Sequence, residues 1–234
     1  MAWKSAIAMN LAPSLLLPPP SSVGRALVMM LQTAGFWTNL AATVWAWLAG
    51  VFVGSIVGGA AGIIVGLNRI IWAAVEPWIE FLRSMPSVVL IPLVSLFLGV
   101  GASSRLTCSA IVVGVLLMST AGTALRSASQ AHLRLATAWR ATQWQTICHF
   151  LFPSALSHMA VSLKAAIPIA LIVAVAADML IATDAGIGKI IMDSLAVFDT
   201  STMYAAVIVV GLLGYIAAAL GSAIERMAIH WSGQ

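Results

Sequence analysis

Five long apolar runs leave this 234-residue chain few ways to fold. They cover residues 39–67, 88–100, 106–125, 159–182 and 203–224. A helix needs about 20 mostly apolar residues to cross the hydrocarbon core of a bilayer. Four of the runs reach that length. The second is shorter and is broken by Pro86 and Pro92, so it reads as a kinked or partly re-entrant segment. Only 8% of the residues are charged, against about 25% in an ordinary soluble domain, so lipid must be the solvent for much of the surface. Where no water can satisfy the backbone, continuous runs of this kind form helices. The expected fold is therefore all-α, a polytopic transmembrane bundle of five spans, or six if residues 5–17 form a complete one despite Pro13. The expected organisation is an N-terminal segment over residues 1–38, with a short stub and a helix flat on the membrane surface, and a transmembrane domain over 39–234. The start of the chain resembles a signal peptide without a clean cleavage site and is read as retained.

The net charge of +4 comes from Lys and Arg scattered singly, which is no footprint for nucleic acid. It does give a topology. Arg69, Arg83, Arg126, Arg134, Arg140, Lys164 and Arg226 fall on one side, against Arg105 and Lys189 on the other. Cytoplasmic loops carry the Lys and Arg excess, so the large central loop and the C-terminus are expected in the cytoplasm. Cys108 and Cys148 have no metal or disulfide spacing, and His132, His149 and His158 make no helical metal pair. With no phosphate-binding GxxxxGK[ST] loop and no GxSxG nucleophile motif, neither an enzyme nor a resident cofactor or metal is expected.

Three constellations stand out. Gly50, Gly54, Gly58, Gly62 and Gly66 recur at four-residue spacing, a bare ridge along which another helix can approach closely. The polar loop over about 126–158 is the longest break between apolar runs. It reads as two short amphipathic helices ending before Pro153, anchored by Leu133, Leu135, Trp139, Trp144 and Phe150. A surface for a cytoplasmic partner and an interfacial connector are equal readings of it. Asp178 is a charged group within an apolar run, where such groups are functional candidates. A pathway or gate role and a water-facing structural carboxylate are both open, while Lys164 reads as snorkelling to the lipid headgroups.

The stretch LRSMPSVVLIPLVSLFLGVGASSR, followed by FPSAL, AADML and GIGKII in that order, resembles the binding-protein-dependent ABC transporter permeases. Within them it is most similar to the branch importing nitrate, taurine and alkanesulfonates, over about Leu17 to Ser194. The resemblance implies a type I importer permease in the inner membrane that translocates a small, anionic, nitrate- or sulfonate-like solute. It implies cytoplasmic ABC ATPase subunits holding ATP and Mg, a periplasmic or extracellular substrate-binding protein, and a second permease chain, identical or different. It also implies that the central loop carries the EAA motif that docks on the ATPase. Counting back from Pro153, the motif's glutamate falls on Arg134, its second alanine on Ala136, its glycine on Arg140 and the next alanine on Ala141, with Trp144 and Gln145 following. The two arginines depart from the pattern: one reverses a charge, and the other replaces the residue best suited to a positive φ. Pro86, Pro92 and Asp178 are the candidates for pathway or gate. The rival readings are a small channel or secondary transporter, and a scaffold subunit whose docking loop has degenerated.

Overall fold

A computed structural model of the chain describes residues 16–127, 138–181 and 184–229. Within them the chain runs through α1 (Pro20–Leu31), α2 (Ala34–Leu67), α3 (Arg69–Ser84), a 3-10 turn (Ser87–Val89), α4 (Leu90–Leu98), α5 (Ala102–Arg126), α6 (Gln143–Thr146), a π turn (Ile147–Leu151), α7 (Phe152–Leu180), α8 (Ile187–Ala196) and α9 (Thr200–Ile229). Helices over 34–67, 102–126, 144–180 and 200–228 are each long and apolar enough to cross a membrane. The α3 and α4 segments, bent by 92° at Pro86, supply a fifth span if taken together.

Local chemistry sets the joints. Pro20 occupies the first turn of α1, where its missing N–H is no loss. Asn68 ends α2, and its Oδ1 accepts from the amides of Ile70 and Ile71, so the residue that stops one helix caps the next. Between α4 and α5 the chain turns through Gly99 (φ 78°) and Gly101 (φ 152°), conformations a side chain would oppose.

The glycine ridge decides how the bundle packs. A Cβ on Gly54, Gly58, Gly62 or Gly66 would meet, in turn, the backbone of Ala110, Gly114, Met118 and Gly122 on α5. The two helices therefore run parallel with backbones in contact, and a four-residue row on one meets a four-residue row on the other. Gly59 lies off this line and accommodates Met159 of α7. On the ridge pair rests the core of Trp47, Val113, Leu117, Ile167 and Leu171, which joins α7 to α2 and α5. Outside the core, Trp45, Phe52 and Ile64 of α2 are each more than half exposed, as expected of a helix whose outer face meets lipid.

Two expectations change and one gains detail. The 18–38 segment carries a helix docked on protein along one side: Val23 and Met30 are buried with Phe36, Ile187, Ala205 and Ala206. The third apolar run starts earlier than its hydropathy indicates, since α5 begins at Ala102 and takes Arg105 into the helix, where it is buried. Pro153 does not end the loop helices but lies in the first turn of α7. Its missing amide frees the carbonyl four residues back, and the preceding π turn accommodates this. Residues 5–13 and 128–137 lie outside the described residues.

Gly58→Val would force α2 and α5 apart. Overpacking of a close interface costs about 1–3 kcal/mol, so thermal unfolding in detergent should occur at lower temperature than in wild type. Gly24→Ala, where a Cβ meets nothing within 4 Å, should be neutral or stabilising by up to about 1 kcal/mol.

Candidate functional site

The chain has two polar regions of opposite character. At the end where α2 and α5 finish and α7 begins, Trp139 and Trp144 are 80% and 73% exposed. Between them the chain reverses at Arg140, whose φ of 51° puts an ordinary side chain in the left-handed region. That conformation costs roughly 1–2 kcal/mol per non-glycine residue. The position matched to a glycine thus keeps the conformation a glycine would take. Thr142 and Gln145 then form a reciprocal cap: the Thr142 amide donates to Gln145 Oε1 at 2.9 Å, and the Gln145 amide to Thr142 Oγ1 at 3.3 Å. A shallow hollow of about 270 Å³ opens beside this turn, lined by Trp139, Ala141, Gln145 and His149. Pro153 follows at the start of α7. Arg134 and Ala136 lie outside the described residues.

At the opposite end Asp178 of α7 is 2% exposed. Its Oδ1 accepts from Arg105 Nη1 of α5 at 2.9 Å, and its Oδ2 accepts from Thr43 Oγ1 of α2 at 2.5 Å. Arg105 Nη1 also donates to the carbonyl of Ala185 at 2.6 Å. Thr43 Oγ1 accepts from the amide of Ile187, and Asn39 Oδ1 from the amide of Gly186. Gly186 (φ 146°) and Gly188 lie so close that a Cβ on either would strike Asp178. Gly186 is therefore required by contact with the carboxylate, and Gly188 by contact with the Val175 carbonyl and the Asp178 Cβ. One ion pair joins three long helices to the start of α8, with Arg105 Nε buried and without a partner among the described residues.

The structure thus removes Asp178 from water and gives it as partner Arg105, which hydropathy alone places in a loop. Lys164 does not snorkel freely; its Nζ donates to Glu225 Oε2 of α9 at 2.6 Å. The backbone of Lys164 packs on Gly221. Pro86 marks the bend between α3 and α4, and Pro92 lies in the first turn of α4. The polar side-chain partners of Asp178 are Arg105 and Thr43, and α4 reaches its neighbourhood through Ile91, which packs in one cluster with Ala177. Among the described residues, no group of three or more His, Cys, Asp or Glu could hold a metal ion.

Residues 50–229 match the family described as binding-protein-dependent transport system inner membrane component. The chain is 24% identical over 237 residues to the taurine transport system permease protein TauC of Escherichia coli, covering 99% of this chain and 86% of that protein. It is 23% identical over 229 residues to the riboflavin transport system permease protein RibX of Chloroflexus aurantiacus, covering 98% and 85%. In fold it resembles a chain of the MetNI methionine ABC transporter in inward-facing conformation. There the TM-score is 0.67 at 18% identity, over 84% of this chain and 99% of that one.

Breaking a buried pair by removing one partner costs about 3–5 kcal/mol, so Asp178→Ala and Arg105→Ala should each sharply lower the folded yield in detergent. The double variant should lose less than the sum, because neither charge is then stranded. At the other end, Arg140→Gly should slow amide hydrogen exchange over 138–146, since it relieves the left-handed strain at one position.

Proposed function

The chain belongs to the binding-protein-dependent transport system inner membrane component family, and on that premise we propose that it moves a small anion inward when a cytoplasmic ATPase closes against the turn around Trp139 and Trp144. As a family member it is the permease subunit of an ABC importer and not itself an enzyme; ATP hydrolysis belongs to a separate chain. The anionic cargo is our reading. It follows the resemblance to the nitrate, taurine and sulfonate branch and the kinship with a taurine permease. RibX, named for riboflavin, shows that kinship at this distance does not fix the cargo.

The observation that carries the docking reading is the pair of tryptophans. Large aromatic side chains held exposed at the apex of a capped turn are what dominates protein interfaces when covered. Arg140 supports a loop that is retuned rather than decayed, because the backbone keeps the left-handed turn at a cost in local strain. In this reading the loop over 126–158 is the coupling element of a permease domain spanning 39–234. Arg134 and Arg140 meet acidic groups on the ATPase. The C-terminus lies in the cytoplasm with Arg69 at the start of α3, Arg126 at the end of α5 and Arg226 in the last turn of α9. A second permease chain completes the pathway, and a binding protein delivers solute at the Asp178 end.

The test is recovery of partners on the tagged full chain in mild detergent, identified by mass spectrometry. Wild type should retain a Walker-type ATPase. Trp139→Ala with Trp144→Ala should weaken that retention at least about 30-fold, the effect of losing roughly 2 kcal/mol at an interface hot spot. Recovery unchanged by both substitutions would remove the turn from the interface, and no ATPase on wild type would remove the coupled importer.

A further inference from the structure

The exposed side of α1 sets an arginine among apolar residues. Val28 and Met29 follow Arg25 by three and four positions, which puts all three on one face of the helix, and they are 55% and 64% exposed. The opposite face is the one docked on protein through Val23 and Met30. The level of α1 in the membrane follows from the helices it crosses. Ser201 Oγ at the start of α9 donates to Ser22 Oγ at 3.1 Å, and Met30 shares a cluster with Phe36 at the start of α2. With 34 and 30 residues, α2 and α9 span about 51 Å and 45 Å, against about 30 Å of hydrocarbon and 40–45 Å with headgroups. With the excess shared between the ends, both starts stand in the headgroup layer. Apolar side chains exposed there meet lipid, and a cation among them meets phosphate.

Arg25 lines a hollow of about 690 Å³ between α1, α8 and the starts of α2 and α9, within the ~300–1,000 Å³ of small-molecule sites. Asp199 lines the same hollow. The two charges do not pair. Among the described residues Arg25 has no ion pair, and Asp199 accepts only from the Thr202 amide, through Oδ1 at 3.2 Å. Neighbouring polar groups are already engaged. Ser22 donates to the Pro19 carbonyl and Thr33 to that of Met30, while Asn39 donates to the Gly35 carbonyl and accepts from the Gly186 amide. On α8, Lys189 and Asp193 pair with each other. One cation and one anion, held apart, are left for a ligand. A simple anion would leave Asp199 unmatched, and a simple cation would leave Arg25 so. A molecule bearing both a phosphate and a primary ammonium meets both, and in the headgroup layer that molecule is an aminophospholipid. A choline headgroup offers the phosphate but no N–H for the carboxylate.

We propose that this hollow binds the headgroup of a phosphatidylethanolamine-type lipid, with Arg25 on the phosphate, Asp199 on the ammonium and the acyl chains beside Val28 and Met29. The site needs only the membrane around the chain and stands apart from the importer reading. A lipid held there braces α1 against α2 and α9, and it adjoins the Asp178 tie through Asn39, which holds the Gly186 amide. A soluble phosphoethanolamine ester offers the same chemistry from another source, so the test includes one.

The experiment titrates the tagged full chain in a neutral detergent with dioleoyl phosphatidylethanolamine, phosphatidylcholine and phosphatidylglycerol, and reads the adducts by native mass spectrometry. Wild type should hold phosphatidylethanolamine at least about 10-fold more tightly than phosphatidylcholine, the effect of one charge-assisted hydrogen bond. Arg25→Gln should weaken phosphatidylethanolamine about 10- to 100-fold, and Arg25→Lys should lose less. Asp199→Asn should erase the preference over phosphatidylcholine while keeping an oxygen for the Thr202 amide. Gel filtration checks each variant; should Arg25→Gln aggregate, Arg25→Lys and Asp199→Asn decide. Equal affinity of wild type for phosphatidylethanolamine and phosphatidylcholine, tighter binding of phosphatidylglycerol, or affinities unchanged in the variants would each overturn the site. Displacement by glycerophosphoethanolamine at concentrations as low as by the lipid would overturn it in favour of a free solute. Loss of the adduct when the chain dimerises would overturn it in favour of a second copy.

Discussion

The backbone contact between α2 and α5 is the constraint on which the other features depend. Between helices in lipid there is no hydrophobic gain from association, so close van der Waals approach and interhelical hydrogen bonds must hold a bundle together. Glycine at every fourth position lets two parallel helices meet without intervening side chains. That approach sets where everything borne on the pair stands. From α2 come Asn39, Thr43 and Trp47, and from α5 come Arg105, Ser109 and Ser119, all directed at neighbouring elements.

Polar groups then fix what packing leaves free. Trp47 donates to the carbonyl of Ile167, Ser109 to that of Ala170, and Thr120 pairs with Ser162, three links from α7 to its neighbours. Such bonds average only about 0.6 kcal/mol in membranes, so their value is positional. The Arg105–Asp178 pair belongs to the same logic. A buried ion pair is weak evidence for stability but is well suited to specifying one arrangement. The two ends of the molecule differ accordingly: three helices are tied together at the Asp178 end, while at the other the tryptophans and arginines stay exposed.

Much of this was legible in the sequence, for reasons particular to the residues. The apolar runs place the long helices because lipid demands both length and hydropathy. The glycine ridge could be read because its period matches the helix. The Asp178 partnership could not: Arg105 is 73 residues away and borders the run it belongs to, so hydropathy assigned it to a loop. Lys164 and Glu225, 61 residues apart, were hidden in the same way. The apolar runs do not show most of α3, because Arg69, Glu76, Glu80 and Arg83 break every apolar window along it. The T-x-x-Q spacing from Thr142 to Gln145 marks the cap in the sequence itself. The positive φ at Arg140 follows from the motif position and not from arginine itself, so only alignment to a pattern could indicate it. The two motif positions Arg134 and Ala136 stay outside the described residues.

The α2–α5 contact also has a mechanical meaning. Two helices touching through their backbones share a joint without side-chain torsions, so displacing one carries the other with it, and the pair acts as a stiff strut. Compliance must then reside where the chain is already broken, at the 92° elbow between α3 and α4. A load applied at the tryptophan-bearing end would be borne along the strut and taken up as rotation at that elbow. The segment of α3 carrying Arg83 would move, while the end tied by Arg105 and Asp178 stays as it is.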